Sequence, residues 1–599
     1  MQRVQGLWPI TRPIFSSRSA AIAVVVPTRP LSTTATRHNA TSEPHVDEVT
    51  DVLIIGSGAG ALTASLRATK LGLRNIVVEK EEIIGGASAI SGGGLWIPCN
   101  PVSRAAGIHD SEEKAMLYFE QAVGEVGPAS SIEKRKAYIT NGPKMVEFLQ
   151  QQGFQFHFAR GYPDYYPAMS GAMGQGGGRT IETKPFNVNK LKDWQSKLPP
   201  TLVPVAIHTN DVPVFARATS SLSAFFYAFR KILPLVAKAL AGQKLASMGR
   251  GLVAQLLYLN LKHQGGDIRI RTSLSSLIQS PAGDVLGAQV RSPEGLRSIR
   301  ATRGVVLAAG GFAHNREMRQ RFMPQPASTE WTNSPAGDTG DAIQEGMRIG
   351  AKTALLDDAW WGPTVVDPVS GQNSFALIER AQPHSFIVDS TGSRFMNEAQ
   401  SYTDAGHDQY ARNQQVKAIP AWLIIDSNHR NKYMLAGLFP RVKPSKKALS
   451  EGKIFQAASI KDLARQIGVD AVGLSSTTER FNNMCIKGVD EDFGRGTCAY
   501  DQFFGDPTCR PNPNLGPLNK APYYAIRIWP GDLGTKGGLV TDEFQRVLNQ
   551  QLRPISGLFA IGNTAASIMG RTYLGAGSTL GPAMTHGYIV ASYLAGLSS

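Results

Sequence analysis

Cysteine is scarce in this 599-residue chain, which holds 4 cysteines and no C-x-x-C pair. This scarcity excludes a disulfide scaffold and a cysteine-rich zinc module. It also leaves no cysteine cluster for an iron–sulfur relay. The histidines show no spacing typical of metal ligands, so the sequence predicts no metal site.

Long hydrophobic runs are absent as well. The longest apolar run covers residues 20–27, far short of the ~20 residues that a membrane-spanning helix needs. The hydrophobic fraction of 42% is nevertheless ordinary for a globular protein, so wholesale disorder is excluded.

Acidic residues are missing from two stretches that are rich in basic ones. Residues 1–42 hold five arginines and many Ser and Thr, a composition typical of an organelle transit peptide. We therefore predict that residues 1–47 form a disordered targeting leader, with mitochondria as the first candidate compartment. The alternative is a disordered basic tail that carries no targeting signal. Residues 212–266 hold seven Lys or Arg among many aromatic and aliphatic residues. They fit an amphipathic segment that either lies in a membrane interface or covers a domain seam.

These two stretches account for most of the formal net charge. Of the total of +15, residues 1–42 carry +5 and residues 212–266 carry +7, which leaves +3 (15 − 5 − 7) for the rest. Because the positive charge is concentrated in these two stretches, it fits a targeting signal and contact with a membrane surface, and we predict no nucleic-acid partner.

A βαβ nucleotide motif begins at residue 51. The apolar run V-L-I-I at residues 52–55 predicts a buried parallel strand, and it leads into G-S-G-A-G-A at 56–61 and a helical pattern. A second strand, N-I-V-V, ends at Glu79. Gly56 allows the tight turn, Gly58 lets backbone amides approach a pyrophosphate, and Ala61 allows close helix–strand packing. Glu79 can accept hydrogen bonds from ribose hydroxyls, so we predict a bound dinucleotide.

The glycine-rich segment that follows indicates which dinucleotide. It runs from Lys80 through G-G-A-S at 85–88 to S-G-G-G-L-W-I-P at 91–98, and it resembles the FAD-binding loop of the fumarate reductase and succinate dehydrogenase flavoprotein superfamily. The apolar strand 304–312, which ends in paired glycines, and G-L-F-A-I-G-N at 557–563 resemble later parts of the same domain. The resemblance implies an α/β fold, with a Rossmann-like FAD-binding domain and an inserted α+β substrate (catalytic) domain. We expect the FAD-binding domain over residues 48–315 and 533–599 and the inserted domain over 316–532.

The C-terminal sequence T-A-A-S-I-M-G-R-T-Y-L-G-A-G-S-T-L-G-P-A-M at 564–584 closely resembles a motif of the 3-ketosteroid Δ1-dehydrogenases. The blocks P-G-D-L-G-T-K-G-G-L at 530–539, R-F-M-N-E at 394–398 and G-Y-P-D-Y-Y-P at 161–167 resemble the same family. The resemblance spans residues 51–594. Many members carry proline where this chain has Leu574 and Ala576, so we expect a shifted substrate preference. The stretch 212–266, which is atypical of the family, suggests a larger or membrane-dissolved substrate, so we expect a sterol-like triterpenoid 3-ketone beside an ordinary steroid.

The resemblance also implies roles for individual residues. Tyr573 and the backbone amide of Gly577 would hold the 3-ketone oxygen of a steroid or triterpenoid, Tyr402 would accept the proton from C2, and flavin N5 would take the hydride from C1. A second tyrosine would share a hydrogen bond with Tyr402; Tyr166 is favoured, with Tyr165 and Tyr162 as alternatives. The predicted cofactor-binding residues are Gly56, Gly58, Gly60, Ala61, Glu79, Lys80, Gly86, Ser88, Ser91, Gly92, Gly93, Gly310, Gly311, Gly562, Asn563, Thr579 and Leu580.

Other functions stay open at this point. A 3-ketosteroid Δ4-dehydrogenase or an enone reductase would use the same cofactor. A fumarate reductase-type enzyme would need Arg and His to clamp two carboxylates, yet the matched positions here are tyrosines. A flavin-stabilised membrane or assembly subunit would have no need of the tyrosines. The electron acceptor, O₂ or a quinone, is not indicated by the sequence.

Overall fold

A computed structural model describes residues 46–200, 206–218 and 221–597. The predicted leader falls almost entirely on residues 1–45, outside the described residues, so it stays a prediction. The described chain forms one compact unit that begins at Val46.

The βαβ motif forms the centre of an eight-stranded sheet. The strand Glu48–Ile55 lies between the parallel strands Gly295–Leu307 and Asn75–Val78, with Ile54 opposite Val77 and Ile55 opposite Leu307. The C-terminal parts of these strands are buried on both faces. Helices Ala59–Lys70 and Leu580–Leu594 cover one face, and the strands Ser273–Gln279 and Val285–Ser292 pack with helices Arg316–Phe322 and Asp341–Arg348 on the other. This burial explains the apolar residues there. The order across the sheet is Arg546–Leu548, Pro554–Ala560, Gly295–Leu307, Glu48–Ile55, Asn75–Val78 and Asp267–Arg269, with Ser273–Gln279 and Val285–Ser292 paired beside it.

Glycines bring the first and last helices together beneath this sheet. A Cβ on Gly60, in helix Ala59–Lys70, would lie 2.6 Å from the carbonyl oxygen of Ala583 in helix Leu580–Leu594. A Cβ on Gly587 would lie 2.3 Å from the carbonyl oxygen of Gly60. The C-terminal motif is thereby held against the nucleotide motif, although more than 500 residues of chain separate them.

The inserted segment forms its own antiparallel sheet of six strands. Its longest strand, Tyr523–Thr535, pairs with Ala359–Val366 on one side and Ala421–Ile425 on the other. The remaining strands are Asn373–Phe375, Ser385–Val388 and Phe455–Ala457. Two separate sheets agree with the predicted α/β class and inserted domain; the exact domain boundaries stay predictions.

The basic stretch 212–266 divides into helices with different environments. Helix Met248–Lys262 is core, with Leu252 and Leu256 fully buried, whereas helix Leu222–Leu240 lies on the surface. None of the described helices is long and apolar enough to cross a membrane.

The other elements surround these two sheets or connect them, and the longest is helix Ile132–Gln152, of 21 residues. The remaining α-helices are Gly86–Ala89, Pro101–Ala105, Glu112–Ala122, Ile132–Gln152, Val212–Phe215, Arg316–Phe322, Asp341–Arg348, Tyr402–Asn413, Ser427–Lys432, Lys446–Ser450, Ile460–Ile467, Ala471–Lys487 and Ala499–Phe503. Short 3₁₀ segments are Gly127–Ser130, Val188–Lys197, Thr209–Asp211, Thr329–Trp331 and Gly562–Thr564. The small sheets consist of Leu95–Trp96, Thr180–Thr183 and Phe156–Phe158, of Phe186–Asn187 with Leu245–Ala246, and of Thr353–Ala354 with Gly538–Leu539.

Candidate active site

A cavity of about 840 Å³ opens at the carboxyl ends of the parallel strands. Ile55, Val78, Ala308 and Ile561, which end or directly follow four of these strands, all line it. In open α/β sheets this edge is where ligands bind. The cavity continues from the sheet to the inserted domain, which contributes Phe375 to its wall.

The first glycines of the nucleotide motif, Gly56 and Gly58, form a turn without side chains at one end of this cavity, which we call the dinucleotide cradle. Gly56 has φ +108°, and a Cβ there would lie 2.3 Å from the carbonyl oxygen of Ala308, so no other residue fits the turn. Gly58 caps helix Ala59–Lys70, and a Cβ on it would meet only the Ser88 hydroxyl, at 3.4 Å. The Ala59 amide donates to the Ser88 hydroxyl at 3.1 Å, and the first residues of the helix line the cavity. A helix N-terminus beside a cavity fits a dinucleotide pyrophosphate.

Glu79 closes the ribose end of the cradle. Its Oε2 accepts hydrogen bonds from the Ser57 amide at 3.1 Å and from the Ser57 hydroxyl at 2.5 Å, and its Oε1 accepts one from the Glu81 amide at 3.0 Å. Burial raises the pKa of Glu79, although these hydrogen bonds oppose the rise. The carboxyl is thus held in place at the cavity wall, where it can accept further hydrogen bonds from a ribose.

Lys80 links the two domains beside Glu79. Its Nζ donates to the Thr339 hydroxyl at 2.5 Å and to Asp341 at 2.7 Å. With a carboxylate partner already bound, this lysine adds little uncompensated positive charge to the cavity.

Nearly all the predicted cofactor-binding residues line this cavity. Gly311 differs within the described chain: a Cβ there would lie 2.2 Å from the Thr535 hydroxyl, so this glycine packs against the strand Tyr523–Thr535. The predicted residues along the wall are Gly56, Gly58, Gly60, Ala61, Glu79, Lys80, Gly86, Ser88, Ser91, Gly92, Gly93, Gly310, Gly562, Asn563, Thr579 and Leu580.

Three tyrosines from distant parts of the sequence meet at the other end. Tyr402, the first residue of helix Tyr402–Asn413, accepts a hydrogen bond from the Tyr165 hydroxyl at 3.3 Å. The rings of Tyr165 and Tyr573 stack with centroids 5.2 Å apart, and the Tyr402 ring lies 4.9 Å from that of Tyr573. All three side chains are buried and line the cavity.

The partner of Tyr402 needs a correction. Sequence alone favours Tyr166, but its hydroxyl donates to Asp404 at 3.1 Å and accepts from the Tyr573 amide at 3.4 Å. Tyr165 instead lines the cavity, whereas Tyr166 does not. The phenol beside Tyr402 is therefore Tyr165, one of the alternatives that sequence leaves open.

Tyr573 and Gly577 converge as the motif predicts. Burial raises the pKa of Tyr573, while hydrogen bonds with Tyr402, Thr579 and the Gly577 amide act against the rise. Gly577 has φ +100°, and a Cβ would lie 2.3 Å from the carbonyl carbon and oxygen of Gly94. Only glycine brings this amide so close to the tyrosine hydroxyl.

Two large aromatic residues near the site, Trp360 and Trp529, do not line the cavity. Trp360 packs edge-on against Tyr573 with centroids 5.3 Å apart, and Trp529 stacks on Trp331 at 4.9 Å. Apolar side chains that line the cavity are instead Phe375 and Leu377 of the inserted domain and Leu533, which directly follows it. No local motif marks Phe375 and Leu377, so sequence reasoning missed them. Leu533 lies in the block 530–539, but sequence reasoning gave it no role.

Comparison with known proteins identifies the family. A profile of the FAD binding domain family matches residues 51–580. The 3-oxosteroid 1-dehydrogenase of Mycobacterium tuberculosis (strain ATCC 25618 / H37Rv) is 41% identical over 564 residues, covering 91% of this chain and 98% of the relative. The chain belongs to the 3-oxosteroid 1-dehydrogenase family. The predicted cofactor, FAD, and the predicted class, an FAD-dependent oxidoreductase, are thereby confirmed.

Other members and neighbours of the 3-oxosteroid 1-dehydrogenase family are similar over the same span. The 4-oxocyclohexanecarboxylate 2-dehydrogenase of Sinomonas cyclohexanicum is 36% identical and covers 91% of this chain and 93% of its own length. The crystal structure of 3-ketosteroid delta1-dehydrogenase from Sterolibacterium denitrificans in complex with 1,4-androstadiene-3,17-dione matches with a TM-score of 0.85 and 36% identity. That match covers 92% of this chain and all of the other. It confirms the predicted fold class.

The structure also adds a residue to the site of this 3-oxosteroid 1-dehydrogenase family member. Lys536 is buried, donates to the Thr572 carbonyl at 2.7 Å and lies 4.6 Å from the centre of the Trp360 ring. Burial lowers its pKa to about 8, although Asp358 and Asp404 raise it. Because Lys536 donates to the carbonyl of Thr572, the residue before Tyr573, it fixes the backbone of the C-terminal motif at this tyrosine.

Proposed function

We propose that this chain is an FAD-dependent dehydrogenase that introduces a C1–C2 double bond next to the 3-ketone of a steroid or a sterol-like triterpenoid. The observation that carries the proposal is the convergence of two phenols, Tyr402 and Tyr573, and one glycine amide, Gly577, at the end of the cavity away from the dinucleotide cradle. A hydroxyl acceptor for a proton and two donors for an oxyanion are what α-proton removal from a ketone requires.

The ketone oxygen is held by the Tyr573 hydroxyl and the Gly577 amide in this proposal. Both residues are buried and line the cavity, and the Gly577 amide lowers the pKa of the Tyr573 hydroxyl. An oxygen that inserts between them gains two preorganised hydrogen bonds as negative charge develops on it. That stabilisation acidifies the hydrogen on C2.

Tyr402 accepts the C2 proton. Burial raises its pKa well above the ordinary tyrosine value, and the neighbouring phenols raise it further, whereas the hydrogen bond from Tyr165 lowers it. The Tyr165 hydroxyl is thus the group that favours the phenolate form of Tyr402. Bound FAD supplies the acceptor for the hydride that leaves C1.

The charge of the cavity favours an uncharged substrate. Lys80 is the one basic side chain among the described residues that line it, and its ammonium group is bound to Asp341. A carboxylate substrate, such as a 4-oxocyclohexanecarboxylate or a dicarboxylate, needs an Arg, Lys or His to bind its anionic group. A steroid ketone needs apolar wall instead, and Phe375, Leu377 and Leu533 supply it.

The test compares three substrates with the purified holoprotein under anaerobic conditions. We expect a 3-ketosteroid to bleach the oxidised flavin band near ~450 nm and to yield a 1-ene by mass spectrometry and NMR. We expect 4-oxocyclohexanecarboxylate and succinate to leave the band unchanged. A 4-ene product would point to Δ4 chemistry, and bleaching by either carboxylate alone would overturn the proposal.

We further propose that helix Leu222–Leu240 lies in the interface of an anionic membrane. Its small residues Ala224 and Ala228 face the protein, whereas a continuous stripe of large apolar residues faces outward with exposures from 46% to 85%. That stripe consists of Leu222, Phe225, Phe226, Phe229, Leu233, Val236 and Leu240.

Charge on the same segment supports an anionic lipid surface as the partner. Arg230, Lys238 and Lys244 are exposed in or directly after the helix, and no acidic residue occurs between 212 and 266. A helix with an apolar face and basic flanks lies in the headgroup region. A peripheral position also suits a substrate that dissolves in lipid.

Vesicle flotation tests this contact. We expect the holoprotein to bind phosphatidylglycerol-containing vesicles better than pure phosphatidylcholine, and the variant Phe225→Ser/Phe226→Ser/Phe229→Ser to bind more than about tenfold more weakly. Val472→Ser/Ile486→Ser is the matched control, because these exposed residues (77% and 76%) lie on another helix. Equal binding by the two variants would contradict the proposal.

We also propose that residues 1–47 direct the protein to mitochondria, on their arginine-rich, acid-free composition. Import of a fusion of these residues to a reporter protein into isolated mitochondria tests this. The five-fold Arg→Ala variant of the leader should fail to enter.

A further inference from the structure

Two histidines and a glutamate meet on the outer side of the cavity wall. His157 and Glu182 are direct cross-strand partners in the strands Phe156–Phe158 and Thr180–Thr183. His208 comes from a separate segment, directly before the turn Thr209–Asp211, and its ring stacks on that of His157 with centroids 3.8 Å apart. One ligand atom from each of the three side chains lies within 4.8 Å of the others.

Buried polar atoms at the centre of this cluster have no partner. The Glu182 side chain is 1% exposed; its Oε2 accepts from the Thr209 amide at 2.9 Å, but its Oε1 accepts no hydrogen bond. His208 Nδ1, also buried and unpaired, lies 3.7 Å from this Oε1. Buried polar atoms are nearly always satisfied, so the space between these two atoms calls for a ligand.

Charged side chains of both signs surround the three groups. Asp211 adds negative potential to all three groups, whereas Lys231 and Lys184 oppose it at the histidines.

We propose that His157, Glu182 and His208 bind Zn²⁺. Two imidazoles and one carboxylate are a common protein donor set for zinc, with a water molecule as the fourth ligand. Bonds of about 2.0–2.2 Å in tetrahedral geometry put ligand atoms roughly 3.3 Å apart. The 3.7 Å between His208 and Glu182 needs only a small adjustment, and the half-buried His157 ring can turn to complete the site.

The site lies where three parts of the molecule join. Glu182 lines the cavity, and the Thr209 hydroxyl donates at 2.9 Å to the carbonyl of Gly92 in the glycine loop. Asp211, two residues further, accepts from the Tyr227 hydroxyl at 2.6 Å on the exposed helix. A zinc ion here fastens the cofactor loop to the segment that carries this helix, which is a structural role separate from the tyrosine chemistry.

Metal titration of the holoprotein tests this site. After treatment with a chelator, we expect the wild type to bind one Zn²⁺ per chain by isothermal titration calorimetry. Both His157→Ala and His208→Ala should weaken this binding at least tenfold. Glu182→Gln should also weaken it, although its amide oxygen still accepts from Thr209. His109→Ala is the matched control, because this histidine is exposed and lies outside the cluster.

Further measurements distinguish binding at this site from misfolding of a variant and from loose surface binding. Circular dichroism and the flavin spectrum report whether each variant folds with FAD bound. Zn²⁺ should raise the Tm of the wild type and of His109→Ala, but not of His208→Ala. Cobalt substitution should give the visible bands of a four-coordinate N/O site. Absence of stoichiometric binding, or equal affinity in folded His208→Ala and wild type, would overturn the proposal.

Discussion

Replacing Tyr165 with phenylalanine tests how the proposed base is activated. The Tyr165 hydroxyl donates to Tyr402 at 3.3 Å and lowers the pKa that burial and the neighbouring phenols raise. A hydrogen bond to a charged group contributes about 1.5–3 kcal/mol, and one pKa unit corresponds to about 1.36 kcal/mol. Its loss should therefore raise the pKa of Tyr402 by about 1–2 units.

The pH profile of kcat/KM measures this shift. Below the pKa of Tyr402 the phenolate fraction falls tenfold per pH unit, so Tyr165→Phe should be about 10–100-fold slower than wild type on the rising limb. The rising limb itself should move to higher pH, and the kcat/KM values of the two proteins should become similar at the alkaline plateau. Flavin absorbance with a 3-ketosteroid under steady-state turnover is the assay.

Tyr166→Phe is the matched control for this experiment. It removes the neighbouring hydroxyl, but that hydroxyl contacts Asp404 and the Tyr573 amide rather than Tyr402. We expect its rising limb to stay in place. An unshifted limb in Tyr165→Phe, or the same shift in both variants, would refute the assignment of Tyr165 as the group that stabilises the phenolate.

Three further changes have defined outcomes. Gly577→Ala places a Cβ 2.3 Å from the Gly94 carbonyl and displaces the amide donor, so kcat should fall about 10²–10³-fold in steady-state assays while the protein still binds FAD. Glu79→Gln removes a charged acceptor and should weaken FAD binding about tenfold to hundredfold, as measured by flavin fluorescence. Arg394→Met leaves the buried Glu398 and Asp490 without their shared partner and should cost about 3–5 kcal/mol in urea unfolding.

Acid stability gives a separate check on the Arg394 cluster. Burial by itself raises the pKa of Glu398, but Arg394 and Arg495 hold it below the ordinary carboxyl value, and Arg394 does the same for Asp490. Groups with a depressed pKa stabilise the fold above their unfolded pKa and lose that effect as the pH falls through the folded pKa. Unfolding monitored from pH 6 downward should therefore show a steep loss below about pH 4 that is smaller in Arg394→Met.

Sequence predicts most of the cofactor end because its requirements are local. A tight turn, a bare helix N-terminus and a buried parallel strand each impose composition on consecutive residues, as in Gly56, Gly58 and the strand that ends at Ile55. The family motif likewise predicts the convergence of Tyr573 and Gly577. Gly311 is the exception, because it packs against Thr535, where a side chain would not fit, and does not line the cavity.

Tertiary structure decides the features that depend on where a side chain points. Tyr165 and Tyr166 are adjacent and chemically identical, and only the packing of helix Tyr402–Asn413 determines which one reaches Tyr402. The segment 212–266 reads as uniformly basic and apolar, yet one of its helices is core and another is exposed.

His157, Glu182 and His208 show the same limit most clearly. They are separated by about 25 residues each, without a ligand spacing, so the sequence predicts no metal site; a strand pairing and a returning loop bring them together. The sequence by itself therefore predicted the dinucleotide cradle, because local backbone geometry dictates those residues, and the family resemblance predicted the fold class and the roles of Tyr573 and Gly577. Only the tertiary structure decides which side chains from distant segments contact each other, because those contacts depend on how the strands, helices and loops pack.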